Sequence, residues 1–154
     1  MTLKAVRLER IQPDSPIYYR GIQVGVIQSI QLNSDATAVN IQVFIWRRYA
    51  ELVRSTSVFW IVDGIDVKGG ILSGVQMKVD SLRSLIAGGI AFATPDKAVG
   101  IPADEDTQFA LYEEPKPEWE NWTPSIPLPP ADAAQDDKQT DKSTSHPAMP
   151  AVLK

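Results

Sequence analysis

The residues equipped for acid–base, nucleophilic or metal chemistry are few, and they are badly placed for it. The chain has a single histidine, His146, in a stretch dominated by Ala, Asp, Lys, Ser, Thr and Pro, and it has no cysteine. The first hundred residues therefore hold no imidazole for a Ser-His-Asp arrangement and no imidazole or thiolate for a metal site. The nearest carboxylate pair, Asp63 and Asp66, flanks Gly64 in a turn, where an aspartate ordinarily closes its own backbone. Gly69-Gly70 with Gly74 lacks the Lys-Ser/Thr and the helix of a phosphate-cradling loop. These patterns indicate neither an enzyme nor a cofactor. The charge balance speaks against a nucleic-acid partner: the chain carries a net −4, and Arg47-Arg48 is too short a run to gather phosphates.

What stands out instead is apolar surface where water is expected. Ile71 and Leu72 lie on a Gly-rich connection, Lys68-Gly-Gly-Ile-Leu-Ser-Gly74, between two alternating runs. A tip of that kind is normally polar. Along Val39–Trp46 the residues Val39, Ile41, Val43 and Ile45 form one face, while the other passes from Asn40 and Gln42 to Phe44 and Trp46. Two readings of those aromatics stand: cover by the following Tyr49–Arg54 segment, or a subunit contact, since aromatics are enriched in interface cores. Arg20 likewise has three: stacking or pairing with an acid such as Asp35, a bond across a subunit boundary, or a lipid head group.

The elements that must position these residues are strands. Ile22–Leu32 alternates, with Ile22, Val24, Val26, Ile30 and Leu32 apolar and only Gln28 and Ile27 out of step. Gly21 and Gly25 interrupt the side-chain wall where a barrel bends or another backbone approaches. Thr2–Glu9 reads as a first strand with no cleanly apolar face, hence an edge or interface strand. Gln12–Pro16 and Asn33–Thr37 are turns. Val58–Val62 is apolar throughout, as for a strand buried on both faces. Strands follow around Ile65–Val67 and Val75–Val79, then a helix of about two turns from an N-cap at Ser81 to Gly88-Gly89, then a strand Ile90–Ala93. The fold class is all-β: a barrel of about seven strands with one short helix, over residues 1–98.

Beyond it the composition changes. Ten of the 12 prolines lie from Pro95 onward, and residues 103–154 carry 4 Lys+Arg against 11 Asp+Glu, whereas residues 1–102 carry 11 against 8. Residues 99–130 read as an extended linker in which Gln108–Tyr112 has the makings of one extra strand and Trp119 and Trp122 lie extended on a surface. Residues 131–154 have the composition of a disordered acidic tail. No stretch approaches 18 consecutive apolar residues, and the N-terminus lacks the apolar core of a signal peptide.

Three blocks in register carry a family likeness: Pro16-Ile-Tyr-Tyr-Arg-Gly-Ile-Gln-Val-Gly-Val26, then Phe59-Trp60 with Gly64-Ile-Asp-Val67, then Ser81-Leu-Arg-Ser-Leu-Ile-Ala-Gly-Gly-Ile-Ala-Phe-Ala-Thr-Pro95. They resemble the mammalian cell entry (MCE) domain family, in particular its multi-domain branch of paraquat-inducible protein B-like lipid transporters. The resemblance implies a small β-barrel that assembles as six-membered rings, with a loop between two late strands facing a central channel. Here that loop is Val67, Gly69, Gly70, Ile71, Leu72 and Gly74. Phospholipid is the implied ligand, further copies of the chain and an inner-membrane partner protein the implied partners, and the periplasm the implied location. Family members are usually anchored by an N-terminal helix, which makes this chain a fragment of a longer protein on that reading. Phe44, Trp46 and Arg20 are then the candidate subunit interface. The alternative function is a monomeric β-domain serving as an interaction or spacer module.

Overall fold

Alternation along the chain is converted into one closed sheet. In a computed structural model, which describes residues 1–63 and 88–131, the strands are β1 (Thr2–Ala5), β2 (Pro16–Tyr19), β3 (Ile22–Leu32), β4 (Val39–Ile45), β5 (Val58–Val62), β6 (Gly89–Ala93) and β7 (Gln108–Tyr112). They close in the order β1-β4-β3-β2-β6-β5-β7, so no strand edge is left bare. Neighbours are antiparallel except β1–β7, β2–β6 and β5–β7, which are parallel. The interior is filled by Leu3, Ile17, Val24, Ile27, Ile41, Val43, Phe59, Ile90 and Phe92. A barrel of this strand number is a packed core rather than a pore.

The all-β barrel expected from the sequence is present, with several differences in its parts. β1 ends at Ala5, not Glu9, because only Leu3 and Ala5 point inward and the chain then leaves the sheet. It is not an edge strand: β4 pairs with one side of it and β7 with the other. The strand expected at Gln108–Tyr112 forms, and it is the stave that closes the barrel between β1 and β5. The strands expected near Ile65–Val67 and Val75–Val79, and the helix expected after Ser81, lie outside the described residues.

The two residues out of step in β3 have a physical cause. Register shifts against β4 between Ile27 and Ser29, leaving Gln28 as an extra residue, and against β2 near Val24. Each bulge moves the inward face by one position. Val24 and Ile27, three apart, are consequently both buried, and Ile30 returns to the core on the far side of Gln28.

The buried hydroxyl groups are paired. Thr94 is fully buried; its Oγ1 donates to the Leu52 carbonyl at 2.8 Å and lies 2.7 Å from Ser57 Oγ. The turns behave as their composition predicts. Ser15 Oγ accepts from the Gln12 N–H, and Asn33 Oδ1 accepts from the N–H groups of Thr37 and Ala38. Outside the barrel a second apolar layer forms, in which Trp119 packs on Trp60 with Ala93, Val58, Val62, Ala91 and Trp122.

Candidate functional site

Strand direction divides the barrel into two rims. β5 ends and β6 begins at the same rim, so residues 64–87 leave and rejoin the sheet there, between the paired residues Val62 and Gly89. β1 and β3 end and β4 begins at that rim, with Ala5 and Leu32 both paired to Val39. Val6 and Leu32 expose large apolar surface beside it, Val6 being 86% exposed. The loop residues Val67, Gly69, Gly70, Ile71, Leu72 and Gly74 lie outside the described residues. The described part is the pair of feet that carries them, held by the β5–β6 ladder.

Phe44 and Trp46 belong to the wall made by β3 and β4, toward the other rim. Phe44 is paired with Val26, and Val26 with Pro16, which makes a row of apolar side chains on the outer face. Trp46 follows the strand, its N–H donating to the Val24 carbonyl at 2.9 Å, and its ring lies 6.4 Å from that of Tyr49. Cover by the following turn, Arg47–Leu52, is only partial: Phe44 stays 43% and Trp46 39% exposed. Arg47 and Arg48 adjoin this face, with the Arg48 guanidinium 5.6 Å from the Tyr49 ring and its Nε buried without a hydrogen-bond partner.

Arg20 is a turn residue. Arg20 and Gly21 have φ of 51° and 78°, the two consecutive left-handed residues of a two-residue hairpin between β2 and β3. Pairing with Asp35 does not occur: Asp35 sits in the hairpin at the opposite rim, where its Oδ1 accepts from the N–H and the Oγ1 of Thr37. Tyr19 packs inward on Phe92 at 5.0 Å, as its alternation with Tyr18 predicts.

Trp119 was not legible as a buried residue. A short turn, Trp119–Asn121, seats its ring against Tyr112 at 5.0 Å and Trp60 at 6.1 Å, with Lys116 Nζ 5.5 Å from its centre. The segment does lie along the outside of the barrel, but it is a docked strap and not loosely extended. The signal was in β5: a strand apolar on both faces needs cover on its outer one. Trp119→Ala is therefore expected to undock residues 113–126 while the barrel persists. Cleavage by a glutamate-specific protease after Glu118 or Glu120 should accelerate by at least tenfold, with the midpoint of barrel unfolding shifting far less. Equal loss of both would mean that strap and barrel unfold as one unit.

Four described side chains titrate away from their ordinary values. Burial pushes the Tyr18 and Tyr19 phenols up, and for Tyr19 the opposing pull of Arg20 and the push of Asp96 are smaller. Hydrogen bonds from Thr37 and Thr107 hold the carboxyls of Asp35 and Asp104 below the ordinary range. All four move away from neutrality, the reverse of what general acid–base work requires. No group of three or more metal-ligating side chains is present among the described residues.

The model of the family described as MlaD protein matches residues 1–91. The chain belongs to the MlaD family of MCE domains. Two curated relatives extend the likeness. Lipophilic envelope-spanning tunnel protein B of Escherichia coli (strain K12) is 37% identical over 114 residues, 73% of this chain and 13% of the relative. A probable intermembrane transport protein of Haemophilus influenzae is 35% identical over 109 residues, 70% of this chain and 12% of that protein. The chain thus spans about an eighth of the length of these relatives. The MlaD match ends within β6, so both the closing strand β7 and the Trp119 strap lie beyond it. No helix among the described residues is long and apolar enough to cross a membrane.

Proposed function

We propose that this MCE domain is one subunit of a homo-oligomeric, six-membered ring that conducts phospholipid between the inner and outer membranes of a Gram-negative envelope, working in the periplasm with an inner-membrane partner protein. The observation that carries the reading is the filled barrel whose 64–87 segment leaves and returns at one rim. An acyl chain finds no path through a single packed barrel, so a conduit has to be built between copies. Val67, Gly69, Gly70, Ile71, Leu72 and Gly74 are the proposed lining. Ile71 and Leu72 supply the apolar side chains. Each methylene kept from water is worth about 0.8 kcal/mol, so a continuous apolar path lowers the cost of moving a lipid across an aqueous space. The relatives' names, a lipophilic tunnel and an intermembrane transporter, support the same direction.

The test is the double variant Ile71→Asp, Leu72→Asp. Cross-linking to a photoactivatable phospholipid should fall by at least tenfold while thermal unfolding stays within a few degrees of the native chain. Retained cross-linking in the folded variant overturns the lining assignment. A loss of several kcal/mol in stability would place both residues inside the domain core instead.

A further inference from the structure

The barrel carries two unlike apolar faces on opposite walls. From β4 to β5 there are three steps round the sheet by way of β1 and β7, and four by way of β3, β2 and β6. One face, on β3 and β4, presents Phe44 and Trp46 beside Arg47 and Arg48. The other, on β5 and β7, is built by the strap: Tyr112 is exposed and Trp122 half-buried against Trp119. Around them Glu113, Glu114, Glu118 and Glu120 are all exposed, four acids to the one base, Lys116. Among the described residues the ion pair found is Arg54–Glu51, so neither Arg47 and Arg48 nor the strap glutamates form an ion pair with another described residue.

We infer that the two faces bind each other: the Phe44–Trp46–Arg47–Arg48 face of one copy docks on the Tyr112–Trp122 strap of the next. The occupant is a second copy because each face supplies what the other lacks. Pairing either face with itself sets arginine against arginine or glutamate against glutamate, whereas unlike pairing buries aromatic against aromatic and sets Arg47 and Arg48 among carboxylates. A contact between different surfaces on opposite walls is head-to-tail, the kind that closes into a ring or grows as a filament. The inference rests on the ring reading above and specifies which surfaces make the ring.

The test mixes two blocked variants of the 154-residue chain. Trp46→Glu removes the first face and keeps the strap; Trp122→Glu removes the strap face and keeps the first. Each alone should show self-association weakened by more than tenfold in sedimentation velocity. Mixed, they should form a species of twice the 17.0 kDa chain mass and stop there, since only one good junction remains per pair. To guard against a strap that simply loosens, a second set uses charge alone. Arg47→Glu and the pair Glu118→Lys, Glu120→Lys should each weaken association, and the chain carrying all three should regain it. Raising salt should weaken the native contact. If the native chain associates but the mixture stays monomeric and the charge swap rescues nothing, the strap is not the partner face, and the ring must use other surfaces. If the native chain is monomeric at every concentration, the ring reading fails, and this inference with it.

Discussion

Phe59→Ala is expected to cost about 3–5 kcal/mol, the range for removing a large buried ring. Phe59 is fully buried, stacks on Phe92 with centroids 5.1 Å apart and meets Phe109 at 4.9 Å. Its backbone is paired with Phe92 on β6 and with Leu111 on β7. The ring therefore ties the closing strand to the rest of the sheet. β7 is five residues long and held on both sides by parallel pairing, which is slightly the weaker kind per residue. Side-chain contact carries more of its attachment than it does for β3 or β4. A domain of this size has about 5–15 kcal/mol in total, so the substitution removes at least about a fifth of it. Urea unfolding measures the loss. Phe109→Ala should cost less, because Phe109 is only half-buried. A Phe59→Ala loss below about 1 kcal/mol would mean that the cavity collapses and that the aromatic interior does not hold the barrel shut.

The parts of this fold legible in the sequence are those where a local pattern and the tertiary role coincide. Val39–Ile45 alternates cleanly and is a regular strand with Ile41, Val43 and Ile45 inside. Pro16–Leu32 was recognisable twice over, by its period of two and by its family wording, and Arg20-Gly21 makes the turn that joins its two strands. Legibility failed where a residue's burial depends on a distant segment. Neither face of Thr2–Glu9 looks like a core strand, because pairing on both sides by β4 and β7 decides its place. Gln108–Tyr112 was recognisable as a short strand, but not as the one that closes the barrel, because filling a gap between two existing strands is a property of the gap. Trp119 sits among prolines and glutamates, and only the apolar outer face of Val58–Val62 reveals that something must cover it. At the candidate site, the exposure of Phe44 and Trp46 followed from alternation. The arginine and glutamate faces that flank the two aromatic patches became comparable only once the strand order put them on opposite walls.

Gly25→Ala should be the most damaging small substitution in the β3–β4 wall, at about 3 kcal/mol, the upper part of the range for overpacking. Gly25 is paired with Ile17 on one side and Ile45 on the other, both pointing into the core. A Cβ there would run into the Phe44 carbonyl oxygen, and it would come within 3.0 Å of both Cα and Cδ1 of Ile45. Because the nearest obstacle is backbone, no rotamer change relieves it, and β4 itself must move outward. Gly21→Ala is the control. Nothing lies within 4 Å of the added methyl, so only the positive φ of 78° counts against it, a cost of about 1–2 kcal/mol. Thermal unfolding of the two variants should rank Gly25→Ala well below Gly21→Ala. Trimming Ile45 to valine in the Gly25→Ala chain should recover little. Recovery of most of the stability would mean that the Ile45 side chain, not the Phe44 carbonyl, sets the spacing of the two strands. The displacement has a second consequence, because Phe44 is the outer residue next to that carbonyl. Moving β4 shifts the aromatic face as well as the core, so folded Gly25→Ala protein should self-associate more weakly than Gly21→Ala protein at the same concentration.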